Sequence, residues 1–172
     1  ALAPWGWDPP TAAFLEPLRS QLLEAGEPLL ERVEKWRHFS SKSWLSSQLE
    51  SLLTEIPLSW RSECFVEHST VVAESVDDMI THREYLHGSG HPIVVVKAPF
   101  GTAGRGALRF AAGDDAGHRI KWVEKTIAQQ GSVVVEPWYR RLAALSYQFC
   151  VGNNAQLACL GLTHYLTDSS GR

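Results

Sequence analysis

Apolar residues recur along this chain with two different periods, and the change falls near residue 60. Before it the spacing is helical. Leu15, Leu18, Leu22 and Leu23 form one stripe that Gly26 ends, and Pro17 is tolerable only in the first turn of such a helix. Leu29, Leu30, Val33 and Trp36 form a second stripe, with Glu31, Glu34 and Lys35 on the opposite face. In FSSKSWLSSQLESLL a serine caps a third helix carrying Leu45, Leu49, Leu52 and Leu53, which Pro57 closes.

Beyond residue 60 the signals alternate between strand and helix. CFVEHSTVVAE is rich in β-branched residues and predicts extended chain. Ser75 or Asp77 caps a helix through about Leu86, and HGSGHP ends it. IVVVKAP is a short, continuously apolar strand of the buried kind, and GALRF returns as its partner. AAGDD is a turn in which Asp114 and Asp115 are expected to be solvated. Ala116 to Gln130 is helical, and SVVVEPW is a second continuously apolar strand. ALSYQFCVG, the turn NNA and QLACLGLTHYLT form a hairpin. Strands separated by helices predict an α/β or α+β lobe with one sheet, preceded by a helical region.

Composition narrows the function classes. Among 172 residues no apolar run approaches the roughly 18 to 20 needed to span a membrane. A net charge of −3 is too near neutral to suggest nucleic acid. Cys64, Cys150 and Cys159 are odd in number and lack a CxxC pair, which predicts reduced thiols of a cytoplasmic protein and no zinc site. His87 and His91 are four apart, but Gly88, Ser89, Gly90 and Pro92 forbid a helix joining them. With His82 they read as a polar surface turn and not a metal site. The first residues, ALAPWGWDPP, lack Met and any signal-peptide pattern, and LTDSSGR does not read as a natural stop, so the chain is expected to be a processed product or an excised piece. Residues 1–96 carry seven basic and fourteen acidic side chains, and residues 97–172 carry nine and five. The basic part therefore begins at the stretch VVVKAPFGTAGRGALRF.

That stretch places a lysine at the end of a strand, then three glycines within six residues, then another strand. It is not a Walker loop, because Ala107 and Leu108 follow Gly106 where lysine and Ser/Thr are required. It is not a dinucleotide fingerprint, because the order is G-x-x-G-x-G and it enters a strand. Protein kinases place their glycines before the nucleotide lysine, and here Lys97 precedes them. What remains is a glycine-rich hairpin loop. Its backbone N–H groups can form an anion nest, Lys97 supplies a point charge, and Arg105 offers a planar fork for phosphate oxygens. The alternative is a loose turn with an exposed arginine.

The second apolar strand, VVVEPW, ends in an acid beside an aromatic. Trp138 is placed to line a flat slot for adenine. Pro137 has no N–H, which directs a base to the carbonyl of Glu136 and the N–H groups of Trp138 or Tyr139. VVVKAPFGTAGRG followed by VVVEPW resembles the ATP-grasp superfamily, over about Glu63 to Thr167. The resemblance implies an α+β protein. Helices over 1–60 would precede an ATP-grasp-like lobe over 61–172, with a mainly antiparallel sheet and a truncated C-terminus. It gives Lys97 the role of phosphate lysine. Gly101, Thr102, Ala103, Gly104, Arg105 and Gly106 become the phosphate loop, and Glu136, Trp138 and Tyr139 the adenine hinge. It implies ATP and Mg²⁺ as cofactors, and a parent ligase that activates a small carboxylate as an acyl-phosphate for attack by an amine or thiol.

Two departures accompany the resemblance. Ala143, Ala144 and Leu145 fill the region where the family usually has an acid near the ribose. The family's metal ligands lie on later strands, so none is expected here and the piece is expected to be inactive alone. A half-fold would expose an apolar surface, which makes a homodimer a further expectation. Two readings stay beside the enzyme fragment: a grasp-like module that binds without catalysis, and an unrelated α+β interaction domain.

Overall fold

The computed structural model describes residues 8–21, 28–60, 70–101, 105–114, 117–140, 142–152, 154 and 156–166. The first helix, α1 (Pro9–Leu15), starts earlier than the leucine spacing predicts, and Leu22, Leu23 and Gly26 lie outside the described residues. Asp8 caps it, its carboxylate accepting from the Thr11 N–H at 2.7 Å, and two prolines occupy the first turn, where their missing N–H groups cost nothing. Pro17 does not open a helix of the predicted kind. The chain instead tightens into a 3-10 segment, Glu16–Gln21, that begins just before it. Pro28 cannot cap α2 (Leu29–Arg37) with a side chain, and the Glu16 carboxylate serves, accepting from the Leu29 N–H at 2.8 Å. Ala12, Leu15, Leu29 and Val33 form the small core between these two helices.

The third helix, α3 (Lys42–Thr54), is capped by the Ser41 hydroxyl, which accepts from the Ser43 N–H at 3.2 Å. A boundary near residue 60 would group α3 with α1 and α2. Instead α3 packs against the sheet strands β1 (Val71–Ala73) and β4 (Val133–Pro137). The Ser43 and Ser132 hydroxyls share a hydrogen bond of 2.8 Å at that junction. Within the predicted strand CFVEHSTVVAE, only Val71–Ala73 is strand among the described residues, and 61–69 lie outside them.

The main sheet is antiparallel, with spatial order β1, β4, β2 (Ile93–Lys97), β3 (Ala107–Ala111). Helices α4 (Val76–Gly88, capped by Ser75) and α5 (Gly117–Gln130) cover one face. Met79, Leu86 and Val123 from these helices close on Val94, Val96, Phe110, Val133 and Val135 from the strands. A fully buried valine contributes on the order of 2 kcal/mol, so this valine-rich layer dominates the lobe. Because side chains alternate along a strand, Val95 and Lys97 point to the second face. The predicted hairpin forms a separate two-stranded sheet, β5 (Ala144–Val151) and β6 (Leu157–Tyr165), with a register shift after Gln148. Tyr147, Phe149, Leu160 and Leu162 on it are exposed. The architecture is α+β with a mainly antiparallel sheet, as the sequence predicts. No helix among the described residues is long and apolar enough to cross a membrane.

Candidate functional site

The second face of the sheet gathers the polar residues. Lys97 lies opposite Val134, and Glu136 lies opposite Val95, so the two charged residues are diagonal neighbours on β2 and β4. The Lys97 ammonium donates to the Glu136 carboxylate, and about a quarter of each side chain is exposed. Arg109 on β3 also lies opposite Val95 and shares this face. Its guanidinium stacks on the Trp138 ring, 3.8 Å from the centroid.

The glycine loop leaves this face directly after Lys97. Its neck is closed by the Ala98 N–H donating to the Gly106 carbonyl at 2.7 Å, and the Gly101 N–H donates back to the Ala98 carbonyl at 3.3 Å. Two glycines are required by the geometry. A Cβ on Gly101 would lie 2.5 Å from the Arg105 carbonyl oxygen. Gly106 has φ +71°, a left-handed conformation that disfavours other residues, and a Cβ there would meet that of Ala98 at 3.2 Å. Arg105 is exposed beside Gly106, while Thr102, Ala103 and Gly104 lie outside the described residues.

Sequence reasoning missed Lys42. It is the first residue of α3, and its N–H donates to the Pro99 carbonyl at 3.0 Å. Its ammonium donates to the Gly101 carbonyl. The helix is thereby tied to the base of the glycine loop at both ends of one residue. Burial, and next the like charge of Lys97, push the Lys42 ammonium below its ordinary range, while Glu136 acts in the opposite sense. Two ammoniums facing one carboxylate leave a net positive charge at the mouth of the loop.

The hinge residues are placed less simply than the sequence suggests. The Trp138 N–H donates to the Ile93 carbonyl at 2.9 Å, so it is not offered to a base. That bond continues the β2–β4 ladder, and alternation along the ladder turns the Glu136 carbonyl toward β2 as well. The backbone carbonyl turned the other way is that of Pro137, past the Val71–Val135 pair where β1 begins. Tyr139 is exposed, its ring edge-on to His91 at 5.8 Å. His87 belongs to the last turn of α4, and its Nδ1 bonds the His91 carbonyl at 2.9 Å. Among the described residues no group of three or more His, Cys, Asp or Glu is placed to hold a metal.

One residue expected to be solvated is engaged. Asp114 accepts from the Ala111 N–H at 3.0 Å and from Arg119 at 2.8 Å, fixing the turn after β3 to the start of α5. Asp115, like Cys64, lies outside the described residues. No family model, curated protein or solved structure matches the chain.

Proposed function

We propose that this chain binds Mg-ATP as the nucleotide lobe of an ATP-grasp-type cytoplasmic protein, whose whole activity is ligation of a carboxylate to an amine or thiol. The observation that carries the reading is the convergence of Lys97, Lys42 and Glu136 at the neck of a glycine loop on one sheet face. The chemistry fits a polyphosphate. Two cations, backed by Arg109 on the same face, can share its oxygens, and a loop that tolerates only glycine at Gly101 brings backbone close to them. Lys97 and Lys42 hold phosphate oxygens, Mg²⁺ neutralises the remaining charge, and Trp138 lines the base side. ATP bound there supplies the phosphoryl group that activates the carboxylate.

Calorimetric titration with Mg-ATP tests the reading. Binding to the native chain that is lost in Lys97→Ala is expected. Equal binding by both chains, or none by the native one, would overturn it. A second reading, a module that binds nucleotide without catalysis, is favoured by Ala144 and Leu145 opening β5 where the resemblance calls for an acid. It predicts nucleotide binding with no phosphate release by the full protein.

A further inference from the structure

Lys42 has a chemical character that a phosphate-binding role does not use. Its nitrogen is held in place by the Gly101 carbonyl, and α3 is fixed at this point by the Lys42 N–H on Pro99 and by the Ser43–Ser132 bond. The other site lysine, Lys97, is occupied by the Glu136 carboxylate. We propose that Lys42 is an acyl-acceptor lysine: a site where small acyl phosphates modify the chain, and where modification weakens the anion site.

The geometry supplies both halves of that reactivity. An amine must be neutral to attack, and burial together with the charge of Lys97 favours the neutral form of Lys42. A neutral amine still has N–H groups for the Gly101 carbonyl and a lone pair to spare. The reagent carries its own anion, and the cations Lys97 and Arg109 on the same sheet face draw that phosphate in, bringing the acyl carbon to Lys42. In the step, the Lys42 nitrogen lone pair forms a bond to the acyl carbon. The bond from that carbon to the phosphate oxygen breaks, its electron pair leaves on phosphate, and the surplus proton on nitrogen passes to solvent. The product is a neutral amide, which removes one of the two ammoniums at the loop. The consequence for ATP rests on the nucleotide reading above; the acylation itself does not.

The chain has five lysines, so it contains its own controls. The native chain is treated with acetyl phosphate at mildly alkaline pH, and acetylation at each lysine is followed over time by peptide mass spectrometry. Lys42 is expected to react several-fold faster than Lys121 and Lys125, which are exposed on α5. Equal or slower reaction at Lys42 would overturn the proposal. Lys97→Met should slow Lys42 toward the rate of those controls, whereas Lys97→Arg, which keeps the charge, should not. Because Lys97→Met could perturb folding, the native chain is also treated in the presence of inorganic tripolyphosphate. Protection confined to Lys42 supports the proposal, and uniform rates at all lysines oppose it. No nucleotide enters these experiments. Selective acetylation with no Mg-ATP binding would remove the nucleotide reading alone, and Mg-ATP binding without selectivity would remove this one alone.

Discussion

Lys97 and Glu136, 39 residues apart in sequence, form a salt bridge across neighbouring strands on the sheet face that α4 and α5 leave open. The partly exposed pair contributes about 1 kcal/mol or less to stability, so its importance lies in what it does to charge. Glu136→Gln removes the carboxylate that offsets Lys42 and Lys97 in this cluster. Inorganic tripolyphosphate is expected to bind that variant several-fold more tightly than the native chain. Lys97→Met should shift affinity the other way by about ten- to a hundred-fold, the worth of a charge-assisted hydrogen bond. Calorimetry on both variants checks the pair, and shifts of the same sign would exclude this arrangement.

The glycine loop makes a sharper demand. Alanine at Gly101 drives a Cβ to 2.5 Å from a backbone oxygen, and backbone cannot swing aside as a side chain can. Gly101→Ala is expected to cost about 1–3 kcal/mol and to abolish tripolyphosphate binding. Gly113 is the comparison. Its φ is +82°, yet a Cβ on it would meet nothing within 4 Å. Gly113→Ala should cost about 1 kcal/mol of backbone strain and leave binding intact. Denaturant unfolding and anion titration of the two variants separate a steric role at the site from general strain.

These residues differ in how readily the sequence discloses them. The runs IVVVK and VVVEP are apolar on both faces, and such runs signal buried strands whatever their partners. Their terminal charges, Lys97 and Glu136, stand out against that background. Lys42 does not stand out, because one lysine at the start of an amphipathic helix looks like surface. A signal was present all the same. The first turn of α3 carries a lysine and no acid, against the helix dipole, and such a placement is favoured by an anionic partner or a specific acceptor. The use of the Trp138 N–H was not legible, because it depends on strand register, which the valine runs leave open. Pro17 misled through leucine spacing that continues past it. The cap at Asp8 and the missing N–H of the proline decide where that helix lies.

Stability of the lobe should depend on the layer between the sheet and its two helices. Phe110 is fully buried there, with the guanidiniums of Arg83 and Arg119 at 5.6 and 5.4 Å from its ring centre. Phe110→Ala is expected to cost about 3–5 kcal/mol. Leu160→Ala, on the exposed hairpin, should change stability by less than about 0.5 kcal/mol. Equal losses at both positions in denaturant titrations would contradict a core that leaves the hairpin out.

Asp114 sets a pH dependence whose sign follows from its partners. The Ala111 N–H, and after it Arg119, hold the Asp114 carboxyl below the ordinary carboxylate range. In the unfolded chain these partners are absent and the group titrates near about 3.9. The ionised form is therefore favoured by folding. The stability it contributes is fully present above the unfolded value and is lost as pH falls through the lower, folded value. Asp114→Asn should lower the melting temperature at neutral pH and flatten the acid limb of a plot of melting temperature against pH. Removing Arg119 by substitution to Gln should reproduce part of that flattening and leave the part due to the Ala111 N–H. The two variants measured across about pH 2 to 7 separate the backbone contribution from the ionic one. An acid limb unchanged in Asp114→Asn would mean that the carboxylate is solvated, as the sequence alone suggests.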